Sequence, residues 1–115
     1  MVGRKNMNFD IKEVKIEIYI PEEYIEEIRN ALTLAGACRA GNYDHVLSYQ
    51  STKGFWRPLE NSHPFHGEKG TICCGTEARV EVRCPVEFLE EAVKTVRRIH
   101  PYEEPVINVI PLLDV

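Results

Sequence analysis

The sequence predicts a single α+β domain, with one antiparallel sheet and two helices packed on the same face of it. Three observations lead there. Two stretches alternate apolar and polar residues with a period of two, each runs directly into a proline, and each proline opens a segment whose apolar residues recur at helical spacing.

Val14, Ile16, Ile18 and Ile20 alternate with Lys15, Glu17 and Tyr19, the pattern of a strand with one buried face. Pro21 suits a first helical turn, where its missing N–H would have no partner in any case. Glu22 and Glu23 then sit near the positive end of the helix dipole. Tyr24, Ile25, Ile28, Ala31, Leu32 and Ala35 form one apolar stripe, and Gly36 closes the helix. The second half repeats this order. Ala78, Val80, Val82 and Cys84 alternate with Arg79, Glu81 and Arg83, and Pro85 opens a helix with the stripe Leu89, Ala92, Val93, Val96 and Ile99. Lys94, Arg97 and Arg98 favour its negative end. Past Pro101, Val106 to Leu112 reads as a last strand.

Between the halves, Val46, Leu47 and Tyr49 predict a strand and Phe55 and Trp56 its return, a central hairpin turning at Lys53-Gly54. Residues Glu60 to Gly70, rich in Gly, Pro, Asn and His, predict a long loop. The order β-α-β-β-α-β with both helices over one sheet face is the ferredoxin-like arrangement. Residues 1–13 are expected to be a flexible leader and residues 14–115 the domain.

At 115 residues, a split into two domains would leave two cores too small to hold themselves. A net charge of −4 without a basic block argues against nucleic acid as a partner, since phosphate binding needs concentrated cations. The sequence has no signal peptide and no apolar run long enough to span a bilayer, so a cytoplasmic protein without a membrane partner is expected. The four cysteines, Cys38, Cys73, Cys74 and Cys84, are then expected to be reduced. The polar sheet face carrying Lys15, Glu17, Tyr19, Arg79, Glu81 and Arg83 is either solvated or a subunit interface.

Candidate functional residues fall into three groups. His100, Tyr102, Glu103 and Glu104 place an imidazole, a phenol and two carboxylates in a turn stiffened by Pro101 and Pro105. They could bind a ligand or a metal, or let His100 accept a proton; equally, His100 suits the negative end of a helix and Pro101 stops it. His45, His63, His66 and Glu77 are metal-ligating types, although solvated loop histidines explain three of them as well. Backbone N–H groups around Gly41-Asn42-Tyr43, with Arg39 and Arg57 as cations, could hold an anionic ligand; otherwise the glycines serve turns. Phe55, Trp56 and Phe65 could stack on a planar ligand or be buried by a neighbouring subunit. No serine nucleophile turn is present, and the adjacent Cys73 and Cys74 do not form a zinc signature.

Four segments in order carry a family resemblance across residues 14 to 113. They are Tyr19-Ile20-Pro21-Glu22-Glu23-Tyr24; Ala35-Gly36-Ala37 leading into Ala40-Gly41-Asn42-Tyr43; Trp56-Arg57-Pro58 with His63-Pro64-Phe65-His66-Gly67 and Gly70; and His100-Pro101-Tyr102-Glu103-Glu104-Pro105. In these the chain resembles the PII/CutA-like domain inserted in many bacterial members of the dinuclear-metal NIF-three-like family, and found alone in short relatives. It departs from that pattern at Cys38, Val46, Cys73 and Asn108, where Gly, Cys, Glu and Asp are usual. The resemblance implies a ferredoxin-like fold, a homotrimer, and a site near the cleft between subunits. It does not extend to the metal-binding core of the larger proteins.

Three functions follow as expectations. The first is a non-catalytic trimeric binding or regulatory module with a small ligand or divalent metal at subunit clefts. The second is a metal-dependent enzyme or accessory factor using the His and Glu groups, and the third a structural assembly domain with no ligand.

Overall fold

The computed structural model describes residues 8–114. Four strands, β1 (Asn8–Ile20), β2 (Ser48–Trp56), β3 (Cys73–Pro85) and β4 (Ile107–Asp114), form one sheet in the order β2-β3-β1-β4. Every neighbouring pair is antiparallel. The helices are α1 (Ile25–Leu34) and α2 (Leu89–Ile99). This is the ferredoxin-like α+β fold that the sequence predicts.

The two halves share one local solution. Pro21 and Pro85 hold φ near −57° and −59°, and each leads through a short 3-10 turn into its helix. Glu26 and Glu27 occupy the first turn of α1, Glu90 and Glu91 that of α2, and Arg97 and Arg98 the last turn of α2. Gly36 ends α1 with φ +105°, and the ring of Phe88 lies where its Cβ would be, at 2.6 Å. Only glycine satisfies both conditions.

Register explains the core. Val14, Ile16, Ile18 and Ile20 on β1 stand opposite Cys84, Val82, Val80 and Ala78 on β3, and all eight are buried. Ile28 and Leu32 from α1, with Ala92 and Val96 from α2, close over them in a single cluster. Each fully buried Ile, Leu or Val contributes about 1.5–3 kcal/mol, so this layer dominates stability. The opposite face is polar. Lys15 reaches Glu81 at 3.5 Å, Arg83 reaches Glu13 at 3.5 Å, and Asn108 donates to Glu17 at 2.8 Å. Arg79 Nε is buried there without an acceptor among the described residues.

Three boundaries differ from the sequence reading. β1 begins at Asn8 rather than Val14 and pairs with the end of β4, so residues 8–13 are strand; residues 1–7 of the expected leader lie outside the described residues. The expected turn at Lys53-Gly54 does not form, because β2 runs unbroken through it with Gly54 opposite Gly75. β3 begins at Cys73, so the true hairpin joins β2 to β3 through the loop 57–72. Since β1 pairing stops at Ile20 opposite Ala78, residues 52–56 and 73–77 overhang as a two-stranded ribbon. The overhang contributes to a shape of 56 × 31 × 23 Å.

Candidate functional site

A groove of about 800 Å³ opens where the overhanging ribbon, the 57–72 loop and the turn after α2 meet. Its floor is built from Trp56 and two glycines. The indole lies across Gly75, whose added Cβ would stand 3.0 Å from Cη2. It also abuts Gly67 (φ +104°), where a Cβ would sit 2.9 Å from both Trp56 Nε1 and Cys73 Sγ. Trp56 Nε1–H donates to the His66 carbonyl at 3.1 Å, tying the loop onto the ribbon.

The turn after α2 supplies the opposite wall. His100 is 8% exposed, and both of its ring nitrogens are engaged. Nε2 lies 2.6 Å from the Tyr19 carbonyl, which can only accept, so Nε2 carries the hydrogen. Nδ1 accepts the Tyr102 N–H at 3.2 Å, so it carries none. Burial pushes the imidazole below its ordinary pKa, against the opposing pull of the Tyr19 bond and the Glu77 charge. The ring is therefore a neutral pin joining the turn to β1. Tyr102 donates its hydroxyl to Glu77 at 2.7 Å; burial foremost, then that carboxylate, pushes the phenol well above its usual pKa. Glu103 accepts the His63 N–H at 2.7 Å and fastens the long loop to the same turn. The rings of His66, Phe65, Tyr102 and His100 follow one another with centroids 4.4, 6.0 and 4.7 Å apart.

The predicted site residues divide between two places. Arg57, His66, Glu77, Tyr102, Glu103 and Glu104 line the groove, with His63 fastened at its edge and His100 beneath it. Arg39, Asn42, Tyr43 and His45 instead lie in the α1–β2 connection. That connection is held to the far end of β3 by Cys38 N–H donating to the Arg83 carbonyl at 3.0 Å. Six residue steps of strand lead from Glu77 to Arg83, about 20 Å at 3.3 Å per step. Within one chain the predicted site residues therefore occupy two regions.

The expected metal set is likewise not drawn together: among the described residues no three His, Cys, Asp or Glu side chains converge. His45 Nδ1 pairs with Asp44 Oδ1 at 2.8 Å, and Glu77 is taken by Tyr102. The His45 contact holds the Asp44 carboxyl below its ordinary range. Sequence reasoning missed Pro58, Cys73, Cys74 and Gly75 as groove residues. The strand register, with Trp56 opposite Cys73, places the last three there, and the loop after β2 brings Pro58.

No protein-family model matches the chain. The "GTP cyclohydrolase 1 type 2 homolog" of Bacillus subtilis is 34% identical over 98 residues, covering 85% of this chain and 26% of that protein. A Bacillus cereus protein related to NIF3 superposes with a TM-score of 0.76 at 28% identity, over 95% of this chain and 29% of that one. The chain is homologous to one segment of the NIF3-related proteins. It spans about a quarter of the length of the curated relatives it matches. The CutA of Archaeoglobus fulgidus, named a periplasmic divalent cation tolerance protein, superposes with a TM-score of 0.63 at 24% identity, over 87% of this chain and 83% of that one. Both superpose on the βαββαβ frame of this chain.

Proposed function

We propose that the chain is a non-catalytic binding or regulatory module that assembles as a homotrimer and takes a small ligand or divalent metal at its subunit clefts. The observation that carries the reading is the groove itself. It has a stacking surface in Trp56 and Phe65 and a guanidinium in Arg57, while the nearby proton-carrying groups His100, Tyr102 and Glu77 are committed to internal bonds. Such a site is organised to hold a molecule rather than to move protons.

Self-association is supported by what one copy leaves open. Phe55 is 76% and Ile72 72% exposed at the overhang, and among the described residues β2 and β4 are the edge strands, which invite pairing. Assembly would also let the α1–β2 connection of one copy approach the groove of another.

Trp56 is the single tryptophan and lines the groove, so its fluorescence reports occupancy. Sedimentation equilibrium at micromolar concentration should give a trimer, and titration with GTP, Zn²⁺, Cu²⁺ or Mn²⁺ should shift the emission saturably. A stable monomer ends the trimer reading. Flat emission with all four probes, and no stoichiometric metal by elemental analysis, favours a purely structural assembly domain. The metal-dependent enzyme reading draws on the name of the Archaeoglobus protein and on the His and Glu residues of the groove, His66, Glu103 and Glu104. It requires retained metal that His66→Ala releases.

A further inference from the structure

Two buried thiols at the far end of the sheet have no part in the groove. Cys38 and Cys84 are both 0% exposed and lie in the same core cluster. Cys38 N–H donates to the Arg83 carbonyl at 3.0 Å, the peptide unit that runs into Cys84. Standard bond lengths across that link leave the two Cα atoms about 6 Å apart, inside the window a disulfide needs. Cys38 also holds φ at +62°, a conformation that side chains other than glycine adopt at a cost. A cysteine kept in a glycine's conformation, with its side chain turned into the core beside a second cysteine, calls for an explanation beyond packing.

We propose that Cys38 and Cys84 are a cross-linking pair, closing a disulfide that ties the α1–β2 connection to the end of β3 when a low-molecular-weight disulfide such as oxidised glutathione is the oxidant. One protein thiolate attacks a glutathione sulfur, forming a mixed disulfide and expelling a glutathione thiolate. The second protein thiolate attacks the protein sulfur of that mixed disulfide and expels the other glutathione. Both protein sulfurs are oxidised, one glutathione disulfide is reduced to two thiols, and the two protein protons pass to the departing thiolates. Burial raises both thiols, Cys84 to about 11, so the closed fold keeps them protonated and exchange proceeds through opening of the connection. Cys73 and Cys74 do not compete as an internal pair. Adjacent strand residues point to opposite faces, and Cys74 lies about 33 Å along β3 from Cys84.

The test is refolding of the full chain from urea in a glutathione redox buffer to equilibrium, then alkylation of free thiols under denaturing conditions and peptide mapping by mass spectrometry. The expected result is one intrachain link between the Cys38 and Cys84 peptides, two alkylated thiols at Cys73 and Cys74, and a higher urea midpoint than in the reduced chain. Cys38→Gly suits the positive φ and should fold, yet should abolish the link. Four alkylated thiols, glutathione adducts in place of a link, any other pairing, or a link surviving in Cys38→Gly would each overturn the proposal.

Discussion

Replacing His100 by alanine tests whether the groove wall is pinned by a neutral imidazole. The substitution strands the Tyr19 carbonyl and the Tyr102 N–H, each of which now has a ring nitrogen as partner. An unsatisfied buried polar group costs roughly 1–3 kcal/mol, and the lost ring volume adds to it, so a total on the order of 3–5 kcal/mol is expected. The pH dependence is the sharper readout. His100 titrates below its ordinary value in the folded chain because burial disfavours the charged ring. Between that depressed value and about 6.5, its unfolded value, the unfolded chain binds more protons than the folded one. Stability from this residue is therefore complete above the unfolded value and is lost as pH falls through the folded one. The slope is at most about 1.4 kcal/mol per pH unit. Urea unfolding of wild type and His100→Ala at fixed protein concentration, from pH 8 down to pH 5, isolates this difference. The gap in unfolding free energy should narrow on acidification. A gap that is constant or widens would refute the neutral, doubly bonded assignment, and a loss under about 1 kcal/mol at pH 8 would refute the pin.

Gly67→Ala adds a Cβ 2.9 Å from Trp56 Nε1 at a positive φ, so it should shift the Trp56 emission and destabilise by about 1–3 kcal/mol, read by fluorescence-detected unfolding. Tyr102→Phe removes the 2.7 Å bond to Glu77 and should cost about 1 kcal/mol. In an ultraviolet alkaline titration it should also delete a phenol that ionises above the usual range, since Tyr102 is raised by burial and by Glu77. Ile18→Ala, at the centre of the sheet and fully buried, should cost about 2–5 kcal/mol in urea unfolding while leaving the Trp56 emission of the folded state unchanged.

The fold was legible wherever one face of an element is covered. Period-two alternation marks β1 from Val14 and β3 from Ala78, because helices lie over those stretches and exclude water from alternate residues. It fails in β2, where Ser48 to Trp56 is exposed or half-exposed at every position. An edge strand that overhangs the helices has no buried face to impose a pattern, so Lys53-Gly54 looked like a turn. The start of β3 was lost for the same reason, and with it Gly75 and the floor of the groove. The candidate site was legible as residue types but not as a place. His100 reads as a polar residue after a helix, and only the β1 carbonyl beside it turns it into a structural pin. Glu77 reads as a metal ligand until Tyr102, from the other side of α2, takes its carboxylate.

The separation of the two candidate regions follows from the strand order. β3 is central and long, and its ends carry different neighbours: the α1–β2 connection at Arg83, and the turn after α2 at Glu77. A sheet does not bend one end of a strand back to the other within a copy, so Arg39 and Arg57 can serve one anion only when they come from different copies. The overhang makes that geometry available, because residues 52–56 and 73–77 project past β1 with exposed apolar side chains and an edge unpaired among the described residues. On this reasoning, assembly and ligand binding in the proposed trimer are coupled. A ligand held by groups from two copies binds the assembled form more tightly than the free chain, and by linkage its presence must favour assembly by the same factor.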